Sequence, residues 1–147
     1  MPTNILRKAA PAESKRRSSP RQPAARIARL EAGHVTIDLA LQDTTTAELL
    51  WRVLPIFSIA ETWGASLHFE CPVRAGRERM ARLNVQPGDV CYWSEDDRVM
   101  LGWGATPISR PGEIRLMRPC NVWARALSDP SILDVVTPGE KVTLARV

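Results

Sequence analysis

The stretch Glu61–Val73, ETWGASLHFECPV, places a histidine and a carboxylate two residues apart on what reads as an extended strand. Successive side chains of a strand point to opposite faces, so His68 and Glu70 share one face and Leu67 and Phe69 the other. If the apolar pair faces a core, the polar pair faces outward. An imidazole beside a carboxylate is the material of general acid–base catalysis, which makes His68 and Glu70 the catalytic candidates of this chain. The same pair is also an ordinary solvated strand face, which is the commoner use of such residues.

The aromatic set is skewed: five tryptophans stand against two phenylalanines and one tyrosine. Trp63, Trp93 and Trp103 each fall at a strand end or beside a turn. Strand ends gather at the mouths of a barrel, where an indole offers a flat apolar wall and one donor. A few fixed polar groups among such walls make the usual small-molecule site. Trp63, Tyr92, Trp93, Trp103, Thr106 and Asn121 are therefore the candidate ligand-binding residues. Asn121 suits an amide because its side chain donates and accepts at once. The alternative is that the indoles plug separate gaps and Asn121 bonds to backbone.

Other chemistries are excluded by spacing. Gly102-Trp103-Gly104 is not a dinucleotide loop, because Pro107 occupies the place of the last glycine. There is no G-x-S-x-G elbow. His34 and His68 are the only histidines and lack ligand spacing, so no metal site and no cofactor are expected. Cys71, Cys91 and Cys120 form no Cys-x-x-Cys pair and read as small core residues of a reduced, cytoplasmic protein.

The elements that must position these residues are mostly strands. ARIARLEAGHVTIDLAL reads as a hairpin turning at Ala32-Gly33, with Val35, Ile37 and Leu39 alternating with polar residues. TTTAELLWRVLP reads as a short helix. Thr45 and Glu48 have capping-box spacing, and Ala47, Leu50, Trp51 and Leu54 form an apolar stripe that assigns Trp51 to the core. Pro55 stops it. RAGRERMARLN reads as a loop or a frayed helical turn. VQPGDVCYWSEDDRVMLGWG is a turn, a strand, an acidic tip at Glu95-Asp96-Asp97 and a second strand. RLMRPCNVWARAL is a strand interrupted by Pro119, SDPSILDVV holds one helical turn, and PGEKVTLARV closes the chain with Val142 and Leu144 on one face. Seven or eight short strands and one clear helix predict a mainly β protein, with barrel closure the natural way to hide the edges.

The 147 residues suit one domain, and the formal charge of +4 is unevenly placed. Residues 1–22 carry Arg7, Lys8, Lys15, Arg16, Arg17 and Arg21 against Glu13, a net +5, so the remainder is about −1. Residues 1–23 are expected to be a disordered basic tail and 24–147 the folded domain. A basic tail, unlike a basic domain face, implies at most weak contact with nucleic acid. No apolar run reaches the roughly 18 residues of a membrane helix, so no membrane partner is expected. Oligomeric state is not legible.

TWGASLHFECPV, VQPGDVCYW, GATPIS and CNVWARA, in that order, resemble a small prokaryotic family of cyclophilin-like proteins without an established function. The matching residues are Trp63-Gly64, Pro72-Val73, Gly88-Asp89, Tyr92-Trp93, Gly104 to Ser109 and Asn121-Val122. The resemblance spans about residues 26–147 and implies a closed eight-stranded cyclophilin-like barrel with one or two short helices, one of them capping a mouth. It also implies that ETWGASLHFECPV corresponds to the strand that carries the catalytic arginine in true cyclophilins. Those isomerases have Phe-His-Arg there, and this chain has Leu67-His68-Phe69-Glu70. An ionised carboxylate cannot donate to a proline nitrogen, so prolyl isomerase activity is not expected. Gly102-Trp103 stands where family members often have two phenylalanines, which would reshape the cleft. Related barrels occur in enzymes of cyclic amides and ureas, such as 5-oxoprolinase and urea amidolyase, an analogy of fold alone. Two functions follow as expectations. The first is a barrel binding a small molecule or peptide in a Trp-lined cleft. The second is an enzyme or enzyme subunit acting on an amide-like substrate through His68 and Glu70.

Overall fold

The computed structural model describes residues 26–147. The segment 1–23, expected to be a disordered tail, lies outside those residues. The described chain runs β1 (Ile27–Ala32), β2 (Val35–Leu41), α1 (Thr45–Val53), β3 (Ile56–Ile59), β4 (Glu61–Thr62), β5 (Ser66–Glu70), β6 (Arg82–Val85), β7 (Asp89–Trp93), β8 (Arg98–Gly102), β9 (Ile114–Ala126), a 3-10 helix (Pro130–Val135) and β10 (Lys141–Arg146). All strand pairs are antiparallel, in the order β3-β10-β1-β2-β9-β7-β8-β5-β4, with β6 added on β9.

The period of two does what it must. Ala28, Leu30 and Ala32 of β1, Ile37 and Leu39 of β2, and Val142 and Leu144 of β10 all point into one buried cluster. Leu67 and Phe69 join it from β5, and Val90 and Tyr92 from β7. Each fully buried leucine, isoleucine, valine or phenylalanine among them contributes roughly 1.5–3 kcal/mol of apolar transfer. The alternate residues of β7, Cys91 and Trp93, face a second, smaller cluster on the other side of the sheet, with Met100, Ile114, Leu116, Cys120 and Val85. The first half of β9 and its partner β6 fold over that side.

Several local expectations are corrected. The sheet has ten strands and is not closed into a barrel, against the expected closed eight-stranded one. β6 forms at the end of the presumed loop, because β9 offers it a paired edge. β9 runs through Pro119 without a break. Pro119 lies where β6 and β9 lose register, so its missing N–H falls in an irregularity and removes no ladder bond. The helix cap is Thr44, whose hydroxyl accepts from the Ala47 N–H at 3.0 Å, one residue before the expected Thr45. Glu48 is thereby released to pair with Arg26 and Arg52. Trp51 is half-buried, not core: the Arg26 and Arg146 guanidinium groups lie 5.3 and 4.5 Å from its ring centroid.

β3 and β4 are one extended stretch bent at Ala60. β3 pairs β10, with Ile59 opposite Lys141 and Ile56 opposite Leu144. β4 pairs β5, with Glu61 opposite His68 and Thr62 opposite Leu67. Continuing that second register would set Ile59 against Glu70 and Phe57 against Pro72, and Pro72 has no N–H to give. The pairing stops before that point, and the two ends of the sheet diverge as an open seam between β3 and the end of β5.

Candidate functional site

On the outer face, β5 and β8 set Glu70 opposite Arg98 and His68 opposite Met100. Arg98 Nη1 donates to His68 Nδ1 at 3.2 Å, and Nη2 lies 3.9 Å from Glu70 Oε2. A guanidinium can only donate, so Nδ1 supplies the lone pair and the neutral imidazole carries its proton on Nε2. Burial, then the Arg98 charge, holds the His68 pKa below its ordinary value. His68 therefore rests neutral at pH 7. Its ring lies 5.9 Å from that of Trp93, which meets Trp63 edge-on at 6.2 Å. Trp93 is 6% exposed, and its indole N–H has no acceptor among the described residues.

The remaining residues singled out from sequence hold the fold. Trp103 packs against the inner core, apart from the cluster of Trp63 and Trp93, and its Nε1 donates to Asp134 at 3.2 Å. Tyr92 is fully buried. Its hydroxyl accepts from the Ala75 N–H at 3.1 Å and lies 2.8 Å from both the Val73 carbonyl and Asp97 Oδ1. Burial above all pushes its pKa up to about 12. Thr106 donates to the Arg115 carbonyl at 2.6 Å and receives Ser109, which locks the 103–113 loop onto β9. Asn121 is 1% exposed and gives both amide hydrogens, to Thr46 Oγ1 and the Gly76 carbonyl, each at 2.9 Å. Its Oδ1 accepts from the Glu78 N–H at 2.8 Å, and Glu78 in turn accepts from the Thr46 N–H and hydroxyl. Asn121 is thus the knot that ties α1, the 71–81 segment and β9, with both donors in use.

A cleft of about 600 Å³ opens at the seam. Pro55, Ile56, Phe57 and Ser58 line one side and Glu70, Cys71 and Pro72 the other, with Asp96 and Asp97 of the β7–β8 tip between them. No tryptophan is among these residues, so Trp63, Trp93 and Trp103 do not form the wall of this cleft. The register decides which backbone groups face it. The Ala60 N–H bonds to the Glu140 carbonyl, so in the β3–β10 ladder Ile56 and Ser58 turn their N–H and C=O toward β10. Phe57 and Ile59 turn theirs to the open side. On β5, the Cys71 N–H goes to the Asp97 carbonyl of the other edge, which leaves the Glu70 backbone groups facing the seam. Phe57 is 74% exposed. Cys71 is buried, and desolvation pushes its pKa up to about 11, so it is no nucleophile here.

Sequence reading singled out Glu70 as an acid–base candidate rather than a cleft residue, and missed its neighbours in the cleft. Pro55 signalled only a helix end and Asp96-Asp97 only a turn. Their meeting depends on where β3 parts from β5, which no local pattern records.

The cyclophilin-like family model matches residues 26–145. The solution structure of a hypothetical protein from Archaeoglobus fulgidus superposes with a TM-score of 0.74 at 27% sequence identity, covering 87% of this chain and 99% of that one. No curated protein matches.

Proposed function

The chain belongs to the cyclophilin-like family, and from that premise we propose that it is a binding module whose ligand, a small molecule or a peptide, sits at the seam between β3 and β5. One observation carries this reading: backbone groups of Phe57 and Glu70 that are unpaired among the described residues face a cleft of about 600 Å³, inside the usual range of ligand sites, and Ile59 continues the same edge beyond the cleft. Backbone groups without partners are a standing offer of hydrogen bonds. The module has no prolyl isomerase activity, since Glu70 rather than an arginine ends the strand. The acid–base alternative is less well served. Arg98 engages the His68 lone pair and stands between the imidazole and Glu70, so the two do not act on one another.

Amide hydrogen exchange tests the site. Phe57 and Ile59 should exchange fast in the free protein, unlike Ser58, whose N–H is in the ladder. A bound ligand should slow both. A panel of metabolites and peptides that leaves Phe57 and Ile59 unchanged while protecting amides elsewhere would relocate the site.

A further inference from the structure

We propose that the occupant of the seam is an extended segment of a partner protein that carries basic side chains. The inference rests on the seam being the binding site. Two observations point to it independently. The first is the edge. Phe57 and Ile59 present N–H and C=O groups in the spacing of a strand, and an added strand needs only a neighbour about 4.8 Å away. The cleft side of this edge is the Phe57 backbone, with the Glu70 backbone opposite, and an extended segment entering the cleft can meet both.

The second is charge. Glu70, Asp96 and Asp97 line the cleft, and among the described residues no lysine, arginine or histidine does. Asp96 is exposed and makes no ion pair among the described residues. Glu70 and Asp97 reach Arg98 and Arg74 only at 3.9 and 3.8 Å, and Glu70 is 77% exposed. Face alternation sets the order of the occupant. Ile56 is buried and Phe57 exposed, so residues paired with Phe57 and Ile59 project outward, on the face that Glu70 also uses. Those positions take lysine or arginine, and the alternate positions take small apolar residues over Ile56 and Cys71.

The probe is acetyl-Lys-Val-Arg-Val-Lys-amide, labelled for fluorescence anisotropy, against its counterpart with Glu in place of each basic residue. The full-length chain should bind the basic probe about tenfold more tightly than the acidic one at low salt, with the gap narrowing as salt screens it. The double variant Glu70→Gln/Asp96→Asn should weaken the basic probe about fivefold and leave the fold intact, since both side chains are exposed. N-methylation of the probe at alternate residues should abolish binding in the phase that faces β3 and weaken it less in the phase that faces the Glu70 backbone. Equal affinity for the two probes, or indifference to N-methylation, overturns the proposal. If Phe57 and Ile59 are still protected in that case, the seam stands and its occupant is of another kind. If no probe protects them, the seam reading fails as well. Protection without any probe in a sedimenting dimer would assign the edge to a second copy. Protection in the monomer that is lost in Arg16→Glu/Arg17→Glu would assign it to this chain's own basic segment.

Discussion

Asn121 illustrates how a polar residue becomes structural by having nothing left to give. Its donors and acceptor are consumed by Thr46, Gly76 and Glu78, so truncation removes three hydrogen bonds at once, one of them to the fully buried Thr46 hydroxyl. Asn121→Ala should cost about 1–3 kcal/mol, read as a lower urea midpoint, because three hydrogen bonds are lost and the buried Thr46 hydroxyl loses a donor. Loss of a ligand-binding function with unchanged stability would restore the role that its donor–acceptor chemistry suggested. His68 behaves differently. Its folded pKa is lowered by burial and Arg98, so the unfolded chain takes up the proton first as pH falls. Stability should therefore drop as pH falls below about 6.5, and stop dropping once the folded imidazole also titrates. Urea melts between pH 5 and 8 should show that slope, and His68→Gln should flatten it. Nuclear magnetic resonance of the imidazole in Arg98→Met should show its pKa rising. No change there would remove Arg98 as a cause.

Gly64 shows how elements are held together by motif residues that do no chemistry. It sits at φ +63°, and a Cβ there would lie 2.6 Å from the Ala105 carbonyl oxygen and 2.8 Å from the Thr106 Cα. Both obstacles are backbone, so neither can swing aside. Gly64→Ala should cost about 2 kcal/mol or more in equilibrium unfolding. A neutral substitution would show that the loop from Gly104 to Ser109 is not anchored there. The Trp63-Gly64 and Gly104-to-Ser109 motifs, far apart in sequence, are thus one contact. At this scale much was legible. The hairpin at Gly33, the helix ahead of Pro55, the 3-10 turn after Asp129 and the outward placing of Glu70 all follow from period and punctuation; His68 shares the face of Glu70 but is half-buried against Trp93. β6 was not legible, since Arg82–Val85 is only four residues at the end of a basic segment and becomes a strand because β9 lends it an edge. Nor was the position of Trp103, because strand-end placement does not say which cluster an indole enters.

For the whole molecule, the order of strands was the part that sequence could not supply. Alternation predicted that edges must be hidden, and closure was the simplest means. The protein instead pairs β4 with β5, leaves β3 parted from them, and so keeps one gap in an otherwise continuous circuit. Pro72 would interrupt that register opposite Phe57, but its meaning depends on a register set by residues on other strands. The pairing of β1 with β10 has a mechanical corollary. Ala28 lies against Arg146, so the start of one strand and the finish of the other leave the sheet at the same end. Tension applied to the two chain ends would peel these strands bond by bond, as a zip opens, and would not shear all their bonds together. Single-molecule stretching from the termini should therefore give a low rupture force. Pulling from Ala32 and Arg146, at opposite ends of the same pair, would load the ladder along its length and should need distinctly more.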